Sequence, residues 1–349
     1  MSSSGKTILT QFSARRILIP VLLGIGVLAI VFIRKFDREA FAQIQWSWLS
    51  LLWLGIAIVM IGLRQFFYMW RIRFLTDDYL SWKASFQVIL LWEFGSAATP
   101  TAVGGTTVAL LLLIKEGIQT GKAIAIDLCT ILLDMSFLLL ALIVAVIVFS
   151  FNELLPGGHV GNFNRAFFAL TFVLLLGYTI LVGYGLFGRP AAVKWMLVKV
   201  MSLKWLRRWQ HKAVEIGDQL IAASAELRHR NAAFWIKSFL MTAGTWTARF
   251  LIANCLIMIV TPLDEHLLLF FRQIALMVIL MMVPSPGGSG FAEISFPAFI
   301  SDMVPAGLVA TVTALWRSFT FYPYLLMGLV ILPRWVNRVF HVSNRATTG

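Results

Sequence analysis

Glu93, Asp134, Arg249, Glu293 and Arg317 are charged residues inside apolar stretches of this chain. Each costs about 2.5–3.5 kcal/mol at the centre of a membrane helix, so each must face a partner or a wet cavity. Arg272 sits nearer the end of its apolar stretch, where it either guards an entrance or extends its head to the interface. Two glycine-rich breaks, TPTAVGGTT at 99–107 and PSPGGSG at 284–290, interrupt apolar runs. A helix that starts after such a break turns free N–H groups and a partial positive charge toward it, which suits a phosphate or carboxylate. Thr99, Thr101, Thr106, Thr107, Ser285 and Ser289 surround the breaks with hydroxyls that either cap helices or bind. Glu293, three residues after Gly290, either stabilises a helix start or takes a cationic group. Asp134 and Arg317 either pair with each other or serve a ligand, and a pairing leaves Arg249 as the better candidate for an anionic headgroup.

Other chemistries find little support. Cys129 and Cys255 both lie inside apolar helices, which argues against a disulfide scaffold or a zinc site. His159, His211, His229, His266 and His341 lie far apart along the chain without metal spacing. No cofactor is expected.

The elements that position these groups must lie in lipid. The 349 residues are 59% hydrophobic and 13% charged, with a mean hydropathy of +0.84, against about 25% charged in a soluble domain. Six stretches are long enough to cross a hydrocarbon core: Ile17 to Ile33, Trp46 to Leu63, Ala123 to Ser150, Ala166 to Phe187, Phe234 to Val260 and Ala306 to Leu332. The first reads as a retained anchor, flanked by Arg34, Lys35 and Arg38. The net charge of +13 resides in the connections, where it sets topology and meets anionic lipid rather than nucleic acid. With both termini cytoplasmic, segments 1–16, 64–83, 115–122, 188–237 and 334–349 hold 22 of the 29 basic residues. The stretch after Phe187 mixes Lys194, Trp195, Lys199, Lys204, Trp205, Arg207, Arg208 and Trp209, which reads as helices in the headgroup layer or as a cytosolic linker.

Two further apolar segments are too short to cross once broken. Trp82 to Ala98 is followed by the first break and by an arm of nine residues from Thr106 to Ile114, about 13 Å long against a core of about 30 Å. Leu267 to Val283 is followed by the second break and an arm from Phe291 to Ser301 interrupted by Pro297. Both read as re-entrant hairpins. An offset of 183 lays Gly104 and Gly105 on Gly287 and Gly288, and Asp134 on Arg317, the pattern of an inverted-topology repeat with a site at the bilayer midplane. The expected fold is therefore all-α and polytopic in a single integral membrane domain. It has six spans and two re-entrant hairpins (82–114 and 267–301), repeat halves at about 82–187 and 234–333, and a basic segment 188–233 between them.

Pro284, Pro286, Gly287, Gly288, Gly290 and Glu293 form P-x-P-G-G-x-G-x-x-E, which resembles the signature of the lysylphosphatidylglycerol synthase transmembrane-region family, also called flippase-like. Pro100, Gly105, Gly117, Asp134, Arg317, Pro323 and Gly328 extend the resemblance over most of the chain. It implies a module that moves a lipid headgroup between leaflets. After Gly105 the chain reads TTVA, and before Asp134 TILL, where the family often carries an acid and an arginine. The chain given ends shortly after Leu332, so the expectation is a stand-alone module without the synthases' soluble transferase domain.

These readings converge on a flippase rather than an enzyme. Its substrate is expected to be a membrane phospholipid or a polyprenyl-phosphate-linked lipid, and a separate lipid-modifying enzyme is a possible partner. The expected binding set is Gly104, Gly105, Thr106, Thr107, Arg249, Pro284, Gly287, Gly288, Ser289, Gly290, Glu293 and Arg317, with Asp134, Glu93 and Arg272 as structural or gating groups. The expected location is a bacterial inner membrane. An intramembrane transferase using Glu93, Glu293 or Asp134 as base, and a non-transporting scaffold, are the alternatives.

Overall fold

The computed structural model describes residues 33, 38–42, 44, 46–98, 104–155, 161–202, 210–283, 285 and 287–346. The expected span over 17–33 and the residues Thr99, Thr101, His159, Pro284 and Pro286 lie outside them, Ile33 excepted. Among the described residues the secondary structure is entirely helical. A short α1 (Arg38–Ala42) precedes α2 (Trp48–Leu75), α3 (Trp82–Ala98), α4 (Gly104–Lys115), α5 (Thr120–Val148), α6 (Phe151–Leu154) and α7 (Gly161–Gly183). A π turn, Tyr184–Gly188, leads to α8 (Pro190–Met201), α9 (Gln210–Arg228), α10 (Ala232–Val260), α11 (His266–Met281) and α12 (Phe291–Ile300). A 3-10 turn, Ala306–Leu308, leads to α13 (Val309–Thr320) and α14 (Tyr322–Ala346).

Five helical runs are long and apolar enough to cross a membrane: Trp48–Leu75, Thr120–Val148, Phe168–Gly188, Ala232–Val260 and Ala306–Val339. They coincide with five of the six expected spans, with one correction of consequence. The second span does not end at Leu63; α2 continues for three more turns through Arg64, Arg71 and Arg73, because the apolar Phe66, Phe67, Met69, Trp70 and Ile72 keep that stretch helical and packed. Two of the residues counted as charges of a polar connection, Arg64 and Arg71, are thereby buried inside the helical bundle.

Helices α2 and α10 run antiparallel side by side, where Gly244 accepts the ring of Phe67, Arg71 reaches Thr242, and Phe74 stacks on Phe234 with ring centroids 4.9 Å apart. The broken segments fold as two antiparallel pairs. In the first, Gly95 of α3 abuts Val108 of α4, and Gly105 abuts Ser96. In the second, Arg272 of α11 donates to the Phe299 carbonyl at the far end of α12, 2.9 Å away. The two pairs are anchored at opposite ends of α5, a helix about 43 Å long. Gly117, after the first pair, touches Tyr79 beside the Asp77–Lys122 contact of 3.5 Å at the start of α5. Arg272 and Asp302 of the second pair sit beside the Glu153 carbonyl just past its end.

The basic segment is helical where it is described. α8 packs on α9 through Lys194, which covers Gly217 and pairs with Asp218 at 2.5 Å. The outer stripe of α8 exposes Trp195 and Met196, with Lys199 over the Trp195 ring at 4.5 Å. α9 in turn lies against the start of α5, where Gly121 donates its N–H to Gln219 Oε1 at 3.1 Å. A methyl group on Gly121 would stand 2.5 Å from the Leu220 backbone nitrogen, which cannot give way as a side chain can. Gly121→Ala should therefore lower stability by about 1–3 kcal/mol, the usual range for overpacking, read as a lower unfolding midpoint in detergent.

A charged cavity between two broken helix pairs

Three arginine–carboxylate pairs organise the interior. Arg64 on α2 places Nη2 2.6 Å from Glu93 Oε1 on α3, donates to the Tyr324 hydroxyl, and lies over the Tyr324 ring at 4.6 Å. One heptad later on the same face of α2, Arg71 makes a two-pronged contact with Asp134 on α5, at 2.5 and 3.2 Å, and donates to Thr242. Trp246 Nε1 completes the Asp134 shell at 2.8 Å. Arg317 on α13 donates through Nε to Glu293 Oε1 on α12 at 2.7 Å, while the other oxygen of Glu293 accepts the Gly290 N–H at 2.7 Å. The side chains of these three arginines are only 2, 2 and 5% exposed. At that burial, removing one partner of a pair leaves an uncompensated charge, a loss of about 3–5 kcal/mol.

Between the helix pairs lies a cavity of about 240 Å³. α3 lines it with Trp92, Glu93 and Ser96, α5 with Asp134, α10 with Trp246 and Arg249, and α11 with Gln273 and Met277. The second break contributes Gly287 and Gly288, and α13 contributes Trp316, Arg317 and Thr320. Gly287, Gly288 and Gly290 all adopt positive φ, at 56, 68 and 86°. Close approach also requires glycine at 287, since a Cβ there would stand 2.3 Å from the Phe321 ring and 3.2 Å from Ala97 Cα. The second break thus presses its backbone against the end of α3.

Of the expected binding set, Arg249, Gly287, Gly288 and Arg317 line the cavity, together with Glu93 and Asp134. Asp134 and Arg317 do not pair with each other, one of the two alternatives the sequence leaves open. Both face the same cavity, but each has a nearer partner, Arg71 and Glu293 respectively. Glu293 is fully buried with both oxygens engaged, one of them closing the first turn of α12, so a ligand cation has no access to it. Gly104 and Gly105 open α4 behind the α3 wall, and they, Thr106 and Thr107 are not in the cavity lining. Ser289 is buried outside the lining. Arg272 is not in the cavity lining. It is 2% exposed and clamps the end of the second pair through Asp302, at 2.5 and 2.7 Å, and two carbonyls. The hydrogen bonds from Arg272 hold the Asp302 carboxyl below the usual carboxylate range.

Arg249 stands apart. Its side chain is 26% exposed, Nη1 lies 3.8 Å from the Glu93 oxygen already held by Arg64, and its guanidinium sits over Trp246 at 5.3 Å. Arg64 and Arg71 escaped the sequence reading because they follow the apolar run that ends at Leu63. Their spacing of seven residues beside aromatic neighbours was the available signal, since it places both on one helix face.

A polytopic all-α chain whose long apolar helices enclose a cavity of paired charges is an integral membrane protein. Residues 17–328 match the lysylphosphatidylglycerol synthase TM region, and the chain belongs to that family. It is also similar to a UPF0104 membrane protein of Archaeoglobus fulgidus, with 25% identity over 347 residues covering 95% of this chain and all of the relative. No solved structure matches it.

The two competing pairings differ in a double-mutant cycle. Arg71→Met and Asp134→Leu should each lower unfolding stability by about 3–5 kcal/mol, and the double variant should recover most of the loss. Asp134→Leu and Arg317→Met should show no such recovery, measured by denaturant unfolding in detergent.

Proposed function

We propose that the protein is a lipid flippase, in which a phospholipid or lipid-linked anionic headgroup passes through the cavity between the two broken helix pairs. The observation that carries this reading is Arg249, a half-buried guanidinium without a carboxylate of its own in a cavity wall. The chain's place in a family named for the membrane region of a lipid synthase supports a lipid-related role. The three carboxylates available to a transferase as bases, Glu93, Asp134 and Glu293, each hold an arginine instead. In this reading the headgroup meets Arg249 and Arg317, while the backbone of Gly287 and Gly288 shapes the floor. Gly104, Gly105, Thr106, Thr107 and Ser289 lie outside the lining and support the walls from behind.

The same reading makes the two broken pairs re-entrant from opposite faces of a bacterial inner membrane, with both chain termini cytoplasmic. Element boundaries favour an inverted repeat. Shifting by 183 carries α2 to 231–258, α3 to 265–281, α4 to 287–298 and α5 to 303–331, beside the observed α10, α11, α12 and the run from 306 to 339. The correspondence begins at α2 rather than at residue 82, and sets the basic α8–α9 hairpin between the halves. A membrane-impermeant maleimide should label Gln119→Cys from the inside and Glu265→Cys from the outside, and labelling of both from one face would remove the re-entrant topology.

Transport itself is tested in vesicles carrying a fluorescent phospholipid, by the fraction that becomes accessible to external dithionite. Wild type should exceed protein-free vesicles, and Arg249→Ala should lose about tenfold or more of the rate, the scale of one lost charge-assisted contact. Equal rates for wild type, Arg249→Ala and empty vesicles would end the flippase reading.

A further inference from the structure

We infer that the cavity selects a headgroup carrying one net negative charge, a phosphodiester monoanion, and that Arg249 sets this selectivity. The inference deepens the transport reading and rests on it.

The argument begins from charge balance. Around the cavity, Arg64 is matched by Glu93, Arg71 by Asp134 and Arg317 by Glu293. Arg249 is the fourth guanidinium, and its nearest carboxylate oxygen, at 3.8 Å, is already 2.6 Å from Arg64. The other acids of the described core do not make up the difference. Asp127 lies one heptad before Asp134 and outside the cavity lining, Asp302 belongs to Arg272, and Glu116 is held by Arg338 and Trp335. Among the described residues, the cavity therefore holds one positive charge in excess. An arginine does not shed it, because the guanidinium stays protonated at any physiological pH.

Charge matching then ranks the ligands. A monoanion neutralises the cavity, a phosphomonoester dianion leaves it negative, and a zwitterion leaves it positive while bringing an ammonium near Arg249. In a site walled by Trp92, Trp246, Met277 and Trp316, an unmatched charge is poorly solvated and costly. The two non-bridging oxygens of a phosphodiester also fit the planar fork of a guanidinium, which a lysine ammonium does not reproduce. The volume of about 240 Å³ holds a headgroup, leaving acyl chains in lipid.

The test uses the full chain in detergent with dihexanoyl phosphatidylglycerol, phosphatidylcholine and phosphatidic acid, by titration calorimetry, and the matching long-chain fluorescent lipids for leaflet exchange. Wild type should bind the monoanion about tenfold or more tightly than the other two, the scale set by one unmatched charge. Arg249→Gln should lose that preference and bind the zwitterion at least as well as the monoanion. Arg249→Lys should keep the preference for the monoanion with weaker affinity, and its unfolding midpoint, with that of Arg249→Gln, shows that the fold is intact. Thr320→Lys, which adds a second positive charge to the wall, should move the preference toward the dianion. Equal binding of the three lipids by wild type, or an equal loss for all three in Arg249→Gln, overturns the charge match even if leaflet exchange is observed. Monoanion-selective binding without exchange upholds the charge match and overturns transport. No binding of any of the three overturns the charge match.

Discussion

The constraint on which the rest depends is that an ionised side chain in a lipid-embedded core must find its counter-charge inside the protein. Coulomb attraction at 4 Å is about 4 kcal/mol at an effective dielectric of 20 and only about 1 kcal/mol in water, so a pair that is marginal on a surface becomes structural here. Arg64, Arg71 and Arg317 each stand less than a tenth exposed, and each carries a carboxylate from a different helix. Glu93 ties α3 to α2, Asp134 ties α5 to α2, and Glu293 ties α12 to α13. Lipid chains supply no hydrophobic force to press helices together, so such polar contacts and close backbone packing carry the association. Gly244 against Phe67, Gly121 against α9 and Gly328 against Phe94 show the second half of that rule.

The broken helices are a consequence of the same medium. An interrupted backbone at depth exposes N–H and C=O groups that lipid cannot satisfy, so breaks are tolerated only where protein or a wet cavity surrounds them. At the second break, the turn through Gly287, Gly288 and Gly290 meets this demand internally. Gly288 donates to the Ser285 carbonyl at 3.1 Å, Ala292 to the Gly288 carbonyl at 2.9 Å, and Gly290 to Glu293. Glu293 thereby does two things at once: it closes the first turn of α12 and neutralises Arg317.

Much of this was legible from residues alone, and the gaps have physical causes. Glycine-rich breaks followed by arms too short to cross are visible because length against bilayer thickness is simple arithmetic. That Glu93, Asp134, Arg249 and Arg317 face a common cavity follows from the cost of burying charge. Their partners were harder to read. Arg64 and Arg71 resemble the basic flank that normally ends a span, and only packing against α3 and α5 turns them inward. Hydropathy counts a charge without its partner, so an arginine neutralised across a helix interface looks like one in water. Arg64 and Arg71 come from α2, a contribution that a motif centred on the breaks does not include. Thr106 and Thr107 attract attention for a similar reason, because local sequence shows a helix start but not which neighbouring helix stands between it and the cavity.

Asp134 and Arg317 occupy matched positions under the 183-residue offset yet carry opposite charges, so the two halves cannot be held in the same way. Asp134 is fixed by Arg71 on a 28-residue helix that runs the length of the bundle. Arg317 is fixed by Glu293 on a ten-residue arm, itself kept in place by the Phe296–Trp316 stack at 4.1 Å and by Arg272 at its far end. One wall of the cavity is thus pinned to one of the long helices of the fold and the opposite wall to a short arm. Arg249 lies between them with neither kind of anchor, and its partial exposure is the expected state of a cation whose remaining partner is water or a ligand. The difference between the buried arginines and this one is not burial as such but the supply of carboxylates: three pairs close, and the fourth guanidinium is left facing the cavity.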